Sequence, residues 1–170
     1  MKRVTLVRHA HATWKDPQPS DFDRPLTRRG QSEAMVLGRL LARDKLAPDL
    51  VISSSAQRAR QTTEILAREL SLPTNALRYE ESLYLAEAAQ ILEVVRSPGP
   101  MLSHLMIVGH NPCISELARQ LAPRADIPEL ETATACTMTF KVATWKEIAP
   151  GAAIETRLEP RSQQLPAFWP

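Results

Sequence analysis

The stretch Val4-Thr5-Leu6-Val7-Arg8-His9 contains the pattern that decides the fold. Its first four residues are apolar or β-branched, which predicts a strand buried inside a sheet. An arginine and a histidine follow directly where this strand ends. In open α/β sheets, ligands bind beyond the carboxyl ends of the parallel strands. We therefore expect Arg8 and His9 to lie at a ligand-binding edge of the sheet.

Two later stretches repeat this arrangement. A predicted strand at 50–52 precedes the serines at 53–55, which we interpret as the N-cap of a helix that carries Arg58 in its first turn. A predicted strand at 104–108 precedes Gly109 and His110. By topology alone, the three stretches converge on one edge of the sheet.

Segments with helical periodicity separate the strands. Thr27 is the predicted N-cap of the first of them, and the later predicted helices span 57–70, 87–96 and 113–121. A short strand is expected at 77–79, and closing antiparallel strands are expected at 137–145 and 153–158. The sequence therefore predicts an α/β fold: one domain over residues 1–160, with a mostly parallel sheet flanked by helices on both faces. Residues 161–170 are expected to form a C-terminal tail.

Composition excludes several functional classes. With 170 residues, 44% of them hydrophobic, the chain suits one globular core. A net charge of +2, with acidic and basic residues interleaved, does not favour nucleic acid as a partner. No apolar run approaches the roughly 20 residues that span a bilayer, and the N-terminus lacks the pattern of a signal peptide. Cys113 and Cys136 have no metal-ligand or disulfide pattern, so a cytoplasmic location with reduced thiols is expected.

Two arginines and two histidines at one sheet edge suit phosphoryl chemistry. The guanidinium groups of Arg8 and Arg58 can bind phosphate oxygens through forked hydrogen bonds, and the first turn of a helix adds attraction for an anion. A neutral imidazole, here His9, is a usable nucleophile. The second imidazole, His110, could donate a hydrogen bond to the transferring group. His9 and His11 could instead bind a metal ion, but no cluster completes such a site, so no metal or cofactor is expected.

Three motifs carry a resemblance to a known family. Leu6-Val-Arg8-His9-Ala10 is similar to the Arg-His-Gly signature of the histidine phosphatase superfamily, which has the phosphoglycerate-mutase-like fold. Ser54 to Thr62 resembles the second motif of that family, and Val108 to Pro112 resembles the third, in the same order. The run Asp23 to Thr27, with Gly30, further resembles the SixA-like branch, whose members remove phosphate from phosphohistidine in signalling and phosphotransfer proteins.

The resemblance implies a role for each matching residue. His9 would be the nucleophile, and Arg8, Arg58 and His110 would form the phosphate pocket, with His11 able to tune substrate binding. Ala12 and Lys15 depart from the signature of the mutases, which counts against mutase activity on sugar phosphates.

The resemblance leaves the general acid unplaced. Its position lies between the second and third motifs, where Glu80, Glu81 and Glu87 are available, but none of them matches a motif. An alkoxide leaving group needs a proton donor, whereas an imidazole, with a reference pKa of about 6.5, departs with less help. This contrast favours a phosphohistidine phosphatase acting on a signalling or phosphotransfer protein. A phosphatase of small phosphate esters and an inactive phosphoprotein-binding module remain alternatives.

Overall fold

The computed structural model describes residues 1–14 and 20–160, so the predicted tail at 161–170 lies outside the described residues. Strands and helices alternate along the chain as the periodicity predicts. In chain order they are β1 (Lys2–Arg8), α1 (Arg28–Arg43), β2 (Leu50–Ser54), α2 (Gln57–Glu69), β3 (Leu77–Glu80), α3 (Ala88–Arg96), β4 (His104–Gly109), α4 (Cys113–Leu121), β5 (Ala135–Phe140) and β6 (Ala153–Glu159).

The strands form one six-stranded sheet in the order β3-β2-β4-β1-β5-β6. Pairing is parallel from β3 through β2 and β4 to β1, whereas β5 and β6 join antiparallel at one edge. The prediction of a mostly parallel sheet in one α/β domain is therefore confirmed.

The sheet has a hydrophobic core on each face, because successive strand residues point to opposite sides. Leu6, Ile107 and neighbouring residues pack with α3 and α4 on one face. Val7, Val108 and their neighbours pack with α1 and α2 on the other. Helices on both faces, as predicted, leave the strand ends at the edge of the sheet for the candidate site.

The starts of the first two helices show one correct prediction and one error. Thr27 caps α1, since its side chain accepts a hydrogen bond from the Gly30 N–H at 3.0 Å. The serine run does not cap α2: the N-cap is Ala56, and no side-chain cap bond forms. Ser53 and Ser54 belong instead to β2, because they pair with β3 and remain fully buried.

The predicted strand at 137–145 is also shorter than expected. Strand β5 ends at Phe140, and Trp145 opens a single 3₁₀ turn capped by Thr144 and Glu147. The Trp145 side chain is buried against the core on the α3 and α4 face. A buried indole at this position satisfies the same hydrophobic pattern that a strand would.

A buried polar network joins three strands at the end of the sheet away from the candidate site. His104 Nδ1 donates to the Ala47 carbonyl oxygen at 3.2 Å, so its Nε2 accepts from the Thr5 hydroxyl at 2.8 Å. The hydroxyl groups of Thr5 and Thr137 are also 2.8 Å apart. Burial, followed by the charge of Arg3, lowers the pKa of His104 from 6.5 to about 4. His104 is therefore neutral in the folded protein at neutral pH.

This low pKa predicts a loss of stability in acid. The unfolded chain protonates His104 near pH 6.5 and the folded chain only near pH 4, so the unfolded state gains protons first as the pH falls. As the pH falls between these two values, protonation linked to His104 should lower the free energy of unfolding by about 3 kcal/mol. Urea titrations at pH 7, 5.5 and 4 should show a smaller loss for His104→Gln than for the wild type. Equal losses in the two proteins would contradict this assignment.

No helix of residues 1–14 and 20–160 is both long enough and apolar enough to cross a membrane.

Candidate active site

Strand pairing brings the two predicted motif histidines together. Strands β1 and β4 are neighbours in parallel register, with Arg8 opposite Gly109. The His9 N–H then donates to the Gly109 carbonyl oxygen at 3.0 Å. As a result, the rings of His9 and His110 lie 5.1 Å apart, centre to centre.

The hydrogen bonds of His9 determine which of its nitrogens can react. Nδ1 lies 2.8 Å from the carbonyl oxygen of Ala10, which can only accept, so Nδ1 carries the proton. Burial, followed by the positive field of His110 and of nearby arginines, lowers the pKa of His9 to about 3. The ring is therefore neutral at pH 7, with a lone pair on Nε2. A neutral imidazole of this tautomer is a ready nucleophile.

The guanidinium group of Arg58 approaches that lone pair directly. It lies in the first turn of α2, and its Nε donates to His9 Nε2 at 3.2 Å. The helix is tied to the loop after β1, because the Thr62 hydroxyl donates to the Arg58 carbonyl oxygen and accepts from the Ala10 N–H. This connection holds the guanidinium group beside His9.

His110 presents a second potential donor. Its Nε2 lies 2.8 Å from the Ser54 hydroxyl, which already accepts from the Ala56 N–H at 3.2 Å. If Ser54 donates its own proton to Nε2, the His110 proton resides on Nδ1. That buried atom has no hydrogen-bond partner among the described residues.

Arg8 also has a buried nitrogen donor without a hydrogen-bond partner among the described residues. Its Nη1 donates to the Leu130 carbonyl oxygen at 2.9 Å, while its buried Nε has no partner among the described residues. Unpaired buried donors are rare in folded proteins, so each of them calls for an explanation. Burial lowers the pKa of Arg8, and the carboxylates of Glu129 and Glu131 oppose that effect.

His11 lies beside the other predicted residues and is held from two sides. Its Nδ1 is 2.8 Å from the Thr27 hydroxyl, and its backbone N–H donates to buried Glu33 at 3.0 Å. Gly30 packs against the same backbone, where a Cβ would lie only 2.0 Å from the His11 carbonyl oxygen. This close approach explains the glycine in the first turn of α1.

These five predicted residues line one open cavity of about 410 Å³. The rim also carries two exposed apolar side chains, Trp14 and Leu85, which are 74% and 82% exposed. The face of the Trp14 ring stacks on the guanidinium group of Arg24, 3.6 Å from the ring centre. The cavity thus combines a cationic floor with a partly apolar mouth.

Sequence reasoning missed a group of residues that closes over Arg58. The backbone carbonyl of Asp21 accepts from Arg58 Nη1 at 2.7 Å, and its carboxylate accepts from Nη2 at 3.3 Å. Arg24 and the Tyr84 hydroxyl donate to the same carboxylate at 2.9 and 2.5 Å. These residues come from irregular segments without periodicity. The resemblance of Asp23 to Thr27 to the SixA-like branch was the one signal near them.

The three glutamates considered as general acids do not line the cavity. The Glu80 carboxylate lies near Arg78, at 3.6 Å, at the end of β3. Glu87 caps α3 in a reciprocal arrangement with Gln90. Among the described residues that line the cavity, Asp21 alone carries a carboxylate.

Residues 1–14 and 20–160 contain no group of three or more His, Cys, Asp or Glu side chains arranged to hold a metal ion. Arg58 also approaches the His9 Nε2 atom that a metal would use. We predict that hydrolysis of p-nitrophenyl phosphate survives exhaustive dialysis against EDTA. Vanadate, which mimics a pentacoordinate phosphoryl group, should inhibit it. Loss of activity that zinc or magnesium restores would revive the metal site at His9 and His11.

Comparisons with known proteins agree with this geometry. Residues 4–82 match the family model described as histidine phosphatase superfamily (branch 1). An uncharacterized protein of Mycobacterium tuberculosis is 34% identical over 158 residues, which cover 86% of this chain and 94% of the relative. The phosphohistidine phosphatase SixA of Escherichia coli is 26% identical over 81% of this chain and 85% of its own length. The crystal structure of a protein from Agrobacterium tumefaciens, named the putative phosphohistidine phosphatase SixA, superposes with a TM-score of 0.75 at 30% identity, covering 82% of this chain and 92% of that one.

Proposed function

Since this chain belongs to the histidine phosphatase superfamily, we propose that it removes the phosphoryl group from a phosphohistidine displayed on a protein. Similarity to SixA supports phosphatase activity in general. The choice of phosphohistidine as the substrate is more specific than this. It rests chiefly on the lack of a proton-donating carboxylic acid among the described residues that line the cavity.

Asp21, which carries the one carboxylate among the described lining residues, cannot supply a proton. The hydrogen bond from Tyr84, followed by the charges of Arg58 and Arg24, lowers the pKa of Asp21 to about 2. An alkoxide leaving group requires protonation as it departs, and an acid of this strength is fully ionised at pH 7. A phosphoimidazole can depart as a neutral ring without such a donor. The cavity therefore favours phosphoramidates over alkyl phosphate esters.

The roles proposed for the site residues follow from their contacts. His9 Nε2 attacks phosphorus and carries the phosphoryl group. Arg58, Arg8 and His110 line the cavity and bind its oxygens, and these interactions strengthen as charge develops in the transition state. His11, fixed by Thr27, lies at the wall of the cavity and contributes to substrate binding.

The mouth of the cavity suits a protein substrate. A histidine on a protein surface can reach His9 only if the cavity is open and shallow. Trp14 and Leu85 offer exposed apolar area beside the opening, and exposed aromatic side chains are common anchors in protein interfaces. A phosphohistidine-bearing signalling or phosphotransfer protein is the partner that we propose.

The experiment compares kcat/KM for three substrates on one enzyme preparation: a phosphohistidine protein, p-nitrophenyl phosphate and a sugar phosphate. We expect the phosphohistidine protein to be cleaved fastest and the sugar phosphate slowest, because the alkoxide is the poorest leaving group. Single Glu→Gln changes at Glu80, Glu81 and Glu87 should scarcely alter phosphohistidine hydrolysis. If the sugar phosphate were preferred, and one of these changes abolished its turnover, a phosphatase of small esters would replace this proposal. If no substrate were cleaved, the binding-module alternative would gain support.

A further inference from the structure

The Asp21 carboxylate retains accepting capacity toward the cavity. Its Oδ2 accepts from the Tyr84 hydroxyl and from Arg58 Nη2, while its Oδ1 accepts only from Arg24 Nε among the contacts that the structure describes. A carboxylate oxygen can accept two hydrogen bonds. The side chain is 48% exposed and lines the cavity, so a ligand there can approach the carboxylate.

The position of Asp21 relative to His9 follows from the guanidinium group that they share. Arg58 Nε donates to His9 Nε2 at 3.2 Å, and Nη2 of the same group donates to Asp21 Oδ2 at 3.3 Å. A phosphoryl group bound by Arg58 in front of His9 therefore has Asp21 beside it. In an in-line displacement, the leaving nitrogen lies on the side of phosphorus away from the attacking nitrogen. Asp21 lines the cavity through which that leaving group must pass.

The charged and titratable groups around Asp21 keep it ionised. Arg24 faces it from its own turn, Arg58 from α2, Tyr84 from the turn after β3, and His110 from the turn after β4. The field of two guanidinium groups favours the carboxylate form. The hydrogen bond to Asp21 also raises the pKa of Tyr84, so the phenol keeps its proton. Asp21 can therefore accept a hydrogen bond but cannot donate one at neutral pH.

The chemistry of phosphohistidine needs such an acceptor. One ring nitrogen carries the phosphoryl group, and the other either carries a proton or does not. If that other nitrogen is unprotonated, cleavage expels an imidazolate anion, which is a poor leaving group. If it is protonated, cleavage expels neutral imidazole. An imidazole has a reference pKa of about 6.5. The protonated ring of phosphohistidine therefore becomes scarce above neutral pH, unless a negatively charged partner holds the proton on its free nitrogen.

His9 itself has an acceptor that holds the proton on its second ring nitrogen. The Ala10 carbonyl oxygen holds the proton on His9 Nδ1 at 2.8 Å, so breaking the bond from phosphorus to Nε2 also releases a neutral ring. The substrate histidine requires an equivalent acceptor. We infer that Asp21 binds the N–H of the substrate imidazole and keeps that ring protonated until the phosphoryl group has left. This inference rests on the proposed function and names the residue that recognises its leaving group.

Transfer of the phosphoryl group to His9 and its later transfer to water can then both proceed without a general acid. In the first step, the His9 Nε2 lone pair forms a bond to phosphorus, and the bond between phosphorus and the substrate nitrogen breaks. Its electron pair returns to the substrate ring, which departs neutral with its proton still hydrogen-bonded to Asp21. In the second step, water attacks phosphorus, the bond to His9 breaks, and the pair returns to Nε2. The water proton passes to a phosphate oxygen, and the product is inorganic phosphate.

The test is Asp21→Asn, assayed on a phosphohistidine protein and on p-nitrophenyl phosphate at pH 6 and pH 8. At pH 8 we expect kcat/KM for the phosphohistidine protein to fall about 10- to 100-fold, the effect of one hydrogen bond to a charged group. The loss should be smaller at pH 6, where the substrate ring is protonated in solution. Hydrolysis of p-nitrophenyl phosphate should fall clearly less, because its leaving group has no N–H for Asp21 to bind and only the contact with Arg58 is weakened. Asp23→Asn removes the same charge two residues away and should match the wild type on both substrates.

A fall of equal size on both substrates would overturn the inference, since it would show that Asp21 only positions Arg58. An unchanged kcat/KM on both substrates would overturn it as well. The wild type is measured first: if it does not cleave the phosphohistidine protein, then the proposed function fails, and this inference fails with it. If the wild type cleaves that substrate and Asp21→Asn behaves like Asp23→Asn, the inference alone fails.

Discussion

The His9→Ala variant should lose turnover by on the order of 10⁴-fold or more, because removal of a covalent nucleophile eliminates the reaction pathway. Brief exposure of the wild type to labelled substrate, followed by quenching, should trap phosphate on the protein. A bond from phosphorus to an imidazole nitrogen is labile in acid and stable in alkali, and the label should show that behaviour. The neutral Nε2 of His9 is the atom that the structure makes available for this bond.

His104→Gln is the control for this experiment. It removes an imidazole at the opposite end of β4 from His110, and the variant should still be labelled. Circular dichroism should show that His9→Ala keeps its helices and strands, since the His9 side chain lies at the cavity and outside the two hydrophobic cores. Label on a serine or an aspartate, or normal turnover in His9→Ala, would rule out His9 as the nucleophile.

Arg58→Ala should lose about 10²- to 10³-fold in turnover, the usual effect of removing one preorganised donor from a transition state. Arg58 also holds Asp21 in place, so its loss affects both ends of the cavity. Arg58→Lys should recover little of this activity, because an ammonium group cannot reproduce contacts made by Nε, Nη1 and Nη2 of one planar group. Steady-state kinetics on p-nitrophenyl phosphate and on the phosphohistidine protein measure both effects.

Arg60 offers a matched control on the same helix. It is exposed and stacks over the ring of Tyr79, 4.5 Å from its centre, outside the cavity. Arg60→Ala removes one positive charge two residues from Arg58, so it should separate a local role from a general effect of charge. Near-normal turnover in Arg58→Ala, or an equal loss in Arg60→Ala, would remove Arg58 from the proposed machinery.

The order of strands and helices along the chain, and the edge at which the candidate site forms, follow from local residue patterns. Buried strands have a strong apolar pattern, and parallel strands bring their carboxyl ends to the same edge. Arg8, His9 and His110 could therefore be placed together before any contact was known. The N-cap at Thr27 was also predictable, since capping depends on residues close in sequence.

Local patterns misplaced the start of α2 and the end of β5, because tertiary contacts decide both. Ser54 extends β2 through pairing with Glu80 and sits beside His110, so its hydroxyl is used in the site rather than as a helix cap. Trp145 has the apolar character of a strand residue, yet it fills the core from a 3₁₀ turn. Burial was predicted correctly in the second case, but the backbone conformation was not.

The chemistry of the cavity depends on contacts that form when the chain folds. The proton position and low pKa of His9 depend on a backbone carbonyl, on burial and on nearby cations, and none of these can be read from residue spacing. The group around Arg58 is formed by Asp21, Arg24 and Tyr84. These residues lie in irregular segments, which have no periodic pattern from which their contacts could be predicted. Periodicity reflects which face of an element is buried, whereas the charge and protonation of a site depend on distances between residues that the chain brings together only when it folds.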